Sequence, residues 1–448
     1  MTAMNYKLLN FVKLKEVRLW DVKRYFDATL NKKEGYLELS DVLKPFKVAI
    51  SHREVRKQNM QIISKINFAG NLFLRDFNEI DTYKGSLFLV PKGTIIFSKI
   101  NARHGCIYYN NSSPFVVSSE YPVFKIDETK AYGNYLHYAL RLDPVKNHLN
   151  SKVTGIAKSR LSLSEFLKLP IPIPPLAAQE KILNAFLSYN SQAQKAENQA
   201  NELEKNIEDY LLSELGIEKP KAVEKKEGLQ FVRFKDLSRW DYGYVMDDEK
   251  DVFTVLKETK YPISALGQIY KFINRPWSNK KHKNKTFRYV EIGSVDSTLG
   301  IIDYSEIETD KAPSRATQII KENDLIIGLT RPNLRKFALV SNKYNDYVCS
   351  SGFQIISPSD NHNLVFLLEF LKSEVGVKQI SFFMAGAIYP AITSKQLKNL
   401  QIPLPPKDIQ DRIANHITAI KEKTKSLRQQ AEELRKRAKE TFENEIFV

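Results

Sequence analysis

The side chains of this sequence that could do chemistry are cations set among amides, hydroxyls and aromatics. The stretch Asn274–Lys285 interleaves Arg275, Lys280, Lys281 and Lys283 with Trp277 and several asparagines. That mixture suits contact with phosphates together with reading of base edges in a groove, although a basic surface loop would have the same composition. The stretch His52–Asn59 carries Arg53, Arg56 and Lys57, which a helix would place on one side. A third group sits at two related strand exits. Ile95-Ile96-Phe97 runs into Ser98-Lys99-Ile100-Asn101, and Ile326-Ile327-Gly328-Leu329 runs into Thr330-Arg331-Pro332-Asn333. At an offset of 232 residues Lys99 falls on Arg331 and Asn101 on Asn333, with Arg103 and Arg335 just beyond. A hydroxyl–cation–x–Asn at a strand exit can grip phosphate oxygens or base edges; a polar turn closing a hairpin reads the same way. Downstream lies Lys158-Ser159-Arg160, whose counterpart in the second half, Tyr389-Pro390-Ala391, has no cation. Two copies that kept an architecture and changed what they read would diverge like this.

Catalytic constellations are missing. There is no Gly-rich phosphate loop, no HExxH and no clustered histidines. Asp127-Glu128-Thr129-Lys130 contains a nuclease-like Glu-x-Lys but lacks the partner carboxylates that metal-dependent cleavage needs, so it reads as a surface turn. Pro174-Pro175 and Pro405-Pro406 sit as in the motif of adenine methyltransferases. Ile173 and Leu404, however, replace the polar residue that would hold a flipped base. Cys106 and Cys349 are the only cysteines, with no zinc or disulfide spacing. The expectation is a chain with no catalytic residue, no metal and no cofactor of its own.

The elements that must position these cations are visible as a duplication. Leu169-Pro170-Ile171-Pro172-Ile173-Pro174-Pro175 is repeated 231 residues later as Leu400-Gln401-Ile402-Pro403-Leu404-Pro405-Pro406, and Gln179 then falls on Gln410. Behind each Pro-rich stretch an apolar stripe recurs in steps of four and three. It runs through Ile182, Phe186, Tyr189, Ala193, Ala196, Ala200, Leu203, Ile207 and Tyr210. The copy runs through Ile413, Ile417, Ile420, Thr424, Leu427, Ala431, Leu434, Ala438 and Thr441. This is the seam of a coiled coil. Neither stretch contains Gly or Pro, so each can run as a helix of about 35 to 40 residues, and Gly216 can stop the first. Shorter helices are expected over Tyr132–Leu142 and Leu364–Lys372. Strands are expected at Lys7–Leu14 and Gln230–Phe234, ahead of Trp20-Asp21 and Trp240-Asp241, whose tryptophans are most simply packing anchors.

The resulting division is 1–168 and 230–399 for two globular domains, 169–215 and 400–448 for the Pro-rich stretches with their long helices, and 216–229 for a linker. The expected fold class is α+β: two pseudo-symmetric globular α/β domains joined by two long helices in an antiparallel coiled coil. Net charge is +16 over 448 residues. The helical stretches Ala177–Leu215 (−4) and Lys407–Val448 (+2) leave +18 elsewhere, mostly on the globular parts. Such a distribution fits a polyanion binder. No apolar run approaches membrane-spanning length and the first residues show no signal core, so a cytoplasmic protein is expected.

The two signatures Leu169-Pro-Ile-Pro-Ile-Pro-Pro…Gln179-Glu180-Lys181-Ile182 and Ile402-Pro-Leu-Pro-Pro…Gln410-Asp411-Arg412-Ile413, at domain spacing and with matching heptads, resemble the specificity subunit of Type I restriction–modification systems. The resemblance spans essentially the whole chain. It implies two target-recognition domains, each reading half of a bipartite, gapped double-stranded DNA sequence. The paired helices would set the gap and dock two methyltransferase subunits. Restriction/translocase subunits would complete the assembly, an adenine-N6 methyltransferase and ATP-dependent endonuclease. S-adenosylmethionine, ATP and Mg would be used by those partners. A coiled-coil scaffold for protein partners is the competing reading.

Overall fold

The computed structural model describes residues 30, 35–76, 83–152, 160–219, 251–280, 285–384 and 390–447. Trp20-Asp21, Trp240-Asp241, the strands expected before them and most of the stretch 216–229 lie outside the described residues. The chain divides into two units, residues 1–197 with 429–448, and residues 198–428. Each unit therefore holds a globular part and a portion of both long helices.

In the first unit a four-stranded antiparallel sheet has the order Leu43–Pro45, Val123–Ile126, Thr94–Phe97, Ile107–Asn110. In the second the order is Phe272–Ile273, Phe353–Ile356, Leu325–Gly328, Phe337–Leu339. The same strand order, first-last-second-third, recurs in both. The alternation of strand side chains sends Ile95 and Phe97 into one core cluster and Ile96 into another. Leu325 and Ile327 are likewise separated from Ile326. Around this shared sheet the units differ. The first adds a three-stranded sheet and the hairpin Ile63–Ile66/Leu72–Leu74. The second adds a four-stranded sheet with one parallel pair, Thr286–Val290 beside Val348–Ser350, and the small hairpin Val295–Asp296/Gly300–Ile301.

Both Pro-rich stretches form short antiparallel ribbons, Pro170–Pro172 against Tyr36–Glu38 and Gln401–Pro403 against Ile263–Ala265. A two-stranded ribbon leaves each strand a free edge, which suits residues lacking an amide donor. The long helices begin directly afterwards, Leu176–Leu215 and Lys407–Phe447. The first ends at Gly216, whose φ of 69° makes the left-handed cap that an L side chain resists.

Gln179 and Gln410 explain why the same residue recurs 231 positions apart. Both are buried, at 0% and 1% exposure. Gln179 accepts the Tyr132 amide at 3.0 Å and donates to the Lys130 and Pro174 carbonyls at 2.8 and 2.7 Å. Gln410 accepts the Asn363 amide at 2.9 Å and donates to the Pro405 carbonyl at 2.9 Å. Tyr132 and Asn363 are the caps of Gly133–Ala139 and Leu364–Lys372. In each unit one amide thus clamps a domain helix, the Pro-rich stretch and the long helix together.

The helices pair antiparallel within each unit. Phe186 meets Phe442 and Glu197 pairs with Arg435 in the first unit; Glu204 pairs with Arg428 and Glu214 with Arg412 in the second. The acidic helix and the more basic helix attract as their compositions require, although exposed pairs contribute only about 0–1 kcal/mol each. Every seam residue named from the sequence is at least half-buried: Ile182, Phe186, Tyr189, Leu203 and Ile207 on one helix, Ile413, Ile417, Ile420, Leu427 and Leu434 on the other. Between them Ala193, Ala200, Ala431 and Ala438 are covered almost completely, as close approach of two backbones demands. The stripe is not a free-standing seam at its ends. Ile182 joins the first unit's core, and Ile413 and Ile417 join the second's. Near the C-terminus burial passes from Thr441 to Phe442, which stacks on Tyr135 of the globular part.

Candidate nucleic-acid interface

In the first unit Arg53, Arg56 and Lys57 lie on the helix His52–Lys57, all three exposed while Val55 is buried. Ser51 and Glu54 close a capping box at its start. The Ser51 amide and hydroxyl bonded to Glu54 hold that carboxyl below the usual range, so the box stays ionised beneath the three cations. Lys99 reaches over to donate to the Ser119 carbonyl at 2.7 Å. Arg160 is exposed and pairs with Glu120 at 3.3 Å. The Lys99 carbonyl accepts the Leu161 amide and its amide bonds the Glu120 carbonyl. Lys99 and Arg160, distant in sequence, are therefore brought to one place. Lys158 lies outside the described residues. Asn101 caps the 3-10 turn Ala102–His104, and Arg103 within it donates to His104 at 3.1 Å.

In the second unit the matching loops also meet: the Arg331 amide bonds the Pro390 carbonyl at 2.7 Å, and Ile392 bonds the Leu329 carbonyl at 2.9 Å. Arg331 and Asn333 are exposed and Arg335 is half-buried around the turn Pro332–Leu334. Both arginines are left-handed, at φ 48° and 56°. That conformation costs an L residue about 1–2 kcal/mol, and such strain gathers at functional positions. Lys280 is exposed and lines an open groove with Lys285, Thr286, Glu308 and Asp310. Lys281 and Lys283 lie outside the described residues.

Two members of the basic stretch have other work. Arg275 forms a two-pronged ion pair with Asp324, one arm at 3.0 Å, and Asp324 is fully buried. Trp277 is 7% exposed and packs against Phe287, with Tyr289, Ala316 and Val348 in the same cluster. A sequence cannot separate an interleaved tryptophan that reads DNA from one that anchors a strand, because the burial that decides comes from residues far along the chain. Just beyond that stretch stands Arg288. It is exposed, bonds the Tyr347 hydroxyl at 2.9 Å and lies over the Tyr304 and Tyr347 rings, which makes it a held surface cation.

The backbone overturns the 232-residue alignment of the strand exits. Asn101 and Arg331 are the turn caps on one side, Gly105 and Arg335 on the other, each pair 230 apart. The bonds agree: Ser98 to Cys106 matches Gly328 to Lys336, and Ile107 to Gly105 matches Phe337 to Arg335. The structural counterpart of Lys99 is Leu329, and that of Asn101 is Arg331. The shared hydroxyl–cation–x–Asn does not exist as a shared position. A slip of two residues keeps every strand side chain on its own face, so the hydrophobic pattern could not expose the error.

Among the described residues no group of three or more His, Cys, Asp or Glu could hold a metal ion. Burial pushes the Cys106 thiol up to about 11 and the Cys349 thiol up to about 12, so both are inert packing residues near neutral pH. Asp127 closes a turn by accepting the Thr129 hydroxyl at 2.6 Å and its amide at 3.2 Å. No helix among the described residues is long and apolar enough to cross a membrane.

A duplicated α+β frame, clamped twice to the same helix pair and presenting cations on both copies of one turn, defines a duplicated polyanion-binding protein. Comparison with known proteins makes this specific. The family model for the Type I restriction modification DNA specificity domain matches residues 38–205 and again 257–436. A protein of Methanocaldococcus jannaschii, named as the specificity subunit of the type I restriction enzyme MjaX, is 23% identical over 390 residues, covering 84% of this chain and 82% of that protein. The HindI specificity subunit of Haemophilus influenzae is 28% identical over 167 residues, covering 36% of this chain and 35% of that protein. A solved structure from work on complex assembly and conformational transition of the type I R-M system shares the fold, with a TM-score of 0.55 at 16% identity over 93% of this chain and 98% of that one. The chain belongs to the Type I restriction modification DNA specificity family. It is a specificity subunit, a non-catalytic chain whose part is recognition of DNA.

Proposed function

We propose that each unit reads one half of a split double-stranded DNA target, and that the side chains around the two 3-10 turns take part in the reading. The observation that carries this is one backbone turn built twice with different side chains. Asn101, Arg103 and Gly105 stand where Arg331, Asn333 and Arg335 stand, on sheets of identical strand order. Two different half-sites need two divergent readers on one frame, and a shared catalytic role would not tolerate that divergence. The long helices set the gap between half-sites and offer docking surface to two methyltransferase subunits. Restriction/translocase subunits join them, and the partners use S-adenosylmethionine, ATP and Mg for adenine-N6 methylation and ATP-dependent cleavage in the cytoplasm.

The test is to map modified bases across the host genome with and without this gene. Loss of methylation at one gapped motif is expected, and exchanging residues 1–168 for those of a relative should then change one half of the motif only. A change in both halves, or no missing motif while the methyltransferase is active, would refute the assignment. In the assembled enzyme, Arg331→Gln and Arg53→Gln should each weaken DNA binding and flatten the dependence of log K on log salt by about 0.9 per lost phosphate contact.

A further inference from the structure

Within the second unit a cavity of about 490 Å³ opens beside the end of the helix Leu364–Lys372. Its ionisable lining is uneven once each carboxylate is given its partner. Glu204 pairs with Arg428, Asp209 with Lys219 and Glu369 with Lys421, while Glu208 accepts the Glu374 amide. Asp296, just behind the rim, accepts the Thr298 and Leu299 amides. Three cations facing the same space, Lys372, Arg335 and the more exposed Lys205, are left with no hydrogen bond or ion pair among the described residues, although Glu369 and Asp296 lie close enough to pull on Lys372. Ser297 and Thr298 add two hydroxyls.

The first unit supplies an internal control. Arg141 stands 231 residues before Lys372, just as Tyr132 stands before Asn363 at the helix starts that the two glutamines clamp. There the guanidinium donates to the Ala69 carbonyl and meets His137 at 3.2 Å. The turn exit that is Arg335 in the second unit is Gly105 in the first, both left-handed. One copy uses its cation internally and keeps glycine where glycine is unstrained. The other leaves its cation open and adds a second beside it, in a conformation that arginine rarely adopts.

We propose that this cavity binds a phosphate-type oxyanion, with Lys372 and Arg335 as its cationic contacts and the Ser297 and Thr298 hydroxyls as donors. Lys372 and Arg335 lie close enough to repel each other, so a counter-charge between them is favoured, and a tetrahedral oxyanion offers acceptors to all four groups. Burial has brought the Lys372 ammonium down to about 8, against the pull of Glu369; a bound anion would favour its charged form. The anion can come from a free phosphate or nucleotide, or from a phosphodiester of the DNA backbone.

The experiment titrates the full chain at pH 7 with inorganic diphosphate, followed by calorimetry and by phosphorus NMR. Saturable binding at one site is expected. It should weaken about tenfold or more in Lys372→Met and in Arg335→Asn, a residue that accepts the left-handed backbone, and be unchanged in Lys395→Gln. A second arm measures duplex binding by the same variants. If they weaken it, lower its salt slope and diphosphate competes with DNA, the source is the phosphodiester. If DNA affinity holds while diphosphate binding is lost, the source is a free phosphate. Absence of saturable diphosphate binding, or equal binding in both variants, overturns the proposal whatever the DNA arm shows. The diphosphate titration does not bear on the methylation map, so the two readings fail separately.

Discussion

Replacing Gln179 by leucine removes one side-chain amide of similar size from a fully buried position and strands three backbone groups. These are the Tyr132 amide and the Lys130 and Pro174 carbonyls, now held at 3.0, 2.8 and 2.7 Å. A buried group without a partner costs about 1–3 kcal/mol, and the lower end applies where water can reach it. All three contacts are only partly buried on the backbone side, so the sum is about 2–4 kcal/mol. The equivalent Gln410→Leu strands two groups, the partly buried Asn363 amide and the fully buried Pro405 carbonyl, and should cost about as much, the deeper burial offsetting the smaller number. Gln179→Glu keeps an acceptor for Tyr132 but turns both donors into a carboxylate facing two carbonyls, so it should be no milder than leucine. Differential scanning calorimetry of the full chain reads this as a lowered transition for the affected unit, by about 2–4 °C per kcal/mol at this size. The reasoning fails if both leucine variants stay within about 0.5 kcal/mol of the parent. That outcome would mean that the repeated glutamine is retained for something other than the clamp.

Other consequences follow from burial and pairing. Arg275→Met leaves the buried Asp324 side chain with no cation and only the Lys321 amide at 2.7 Å, and should cost about 3–5 kcal/mol in denaturant unfolding. Lys280→Met, on an exposed site of the same stretch, should stay within about 0.5 kcal/mol; equal effects would return Arg275 to the surface. The His137 imidazole is brought down to about 3, first by burial and then by Arg141. The unfolded chain therefore binds a proton from about pH 6.5 that the folded first unit refuses. Stability should fall as pH drops from 6.5 towards 3, and His137→Gln, which keeps an acceptor for Arg141, should flatten that slope in acid titrations followed by circular dichroism. Thr424 sits 5% exposed on the seam with a hydroxyl that finds no partner among the described residues. Thr424→Val keeps the shape and removes an orphaned group, so it should raise the unfolding free energy by about 1 kcal/mol; a loss of stability would reveal a partner for that hydroxyl.

The long-helix seams were legible because their information is local. A stripe in steps of four and three needs only neighbours one turn away, and Ile182, Ile413 and Ile417 are buried, with Phe186 half-buried, where the period puts them. The duplication was legible for a related reason: the Pro-rich stretch, its glutamine and the helix behind it are contiguous, so one offset of 231 holds throughout. Even there the ends of the stripe needed the fold, since Phe442 turns towards Tyr135 and the sequence pattern pointed to Thr441.

The cations were the opposite case. Composition marked the stretch Asn274–Lys285, yet whether Arg275 faces solvent depends on Asp324, and whether Trp277 does depends on Phe287 and Val348. A lysine ending an apolar helix looks like an ordinary cap; only the partners taken by the carboxylates around Lys372 show that it keeps no hydrogen bond or ion pair among the described residues. By itself the sequence determined that a recognition frame is present twice, clamped to paired helices and rich in positive charge. The tertiary structure alone decided which charges remain available and which residues of the two turns correspond. Strand periodicity repeats every two residues and is blind to a slip of two, and the neutralisation of a charge is settled by groups that the chain brings from far away.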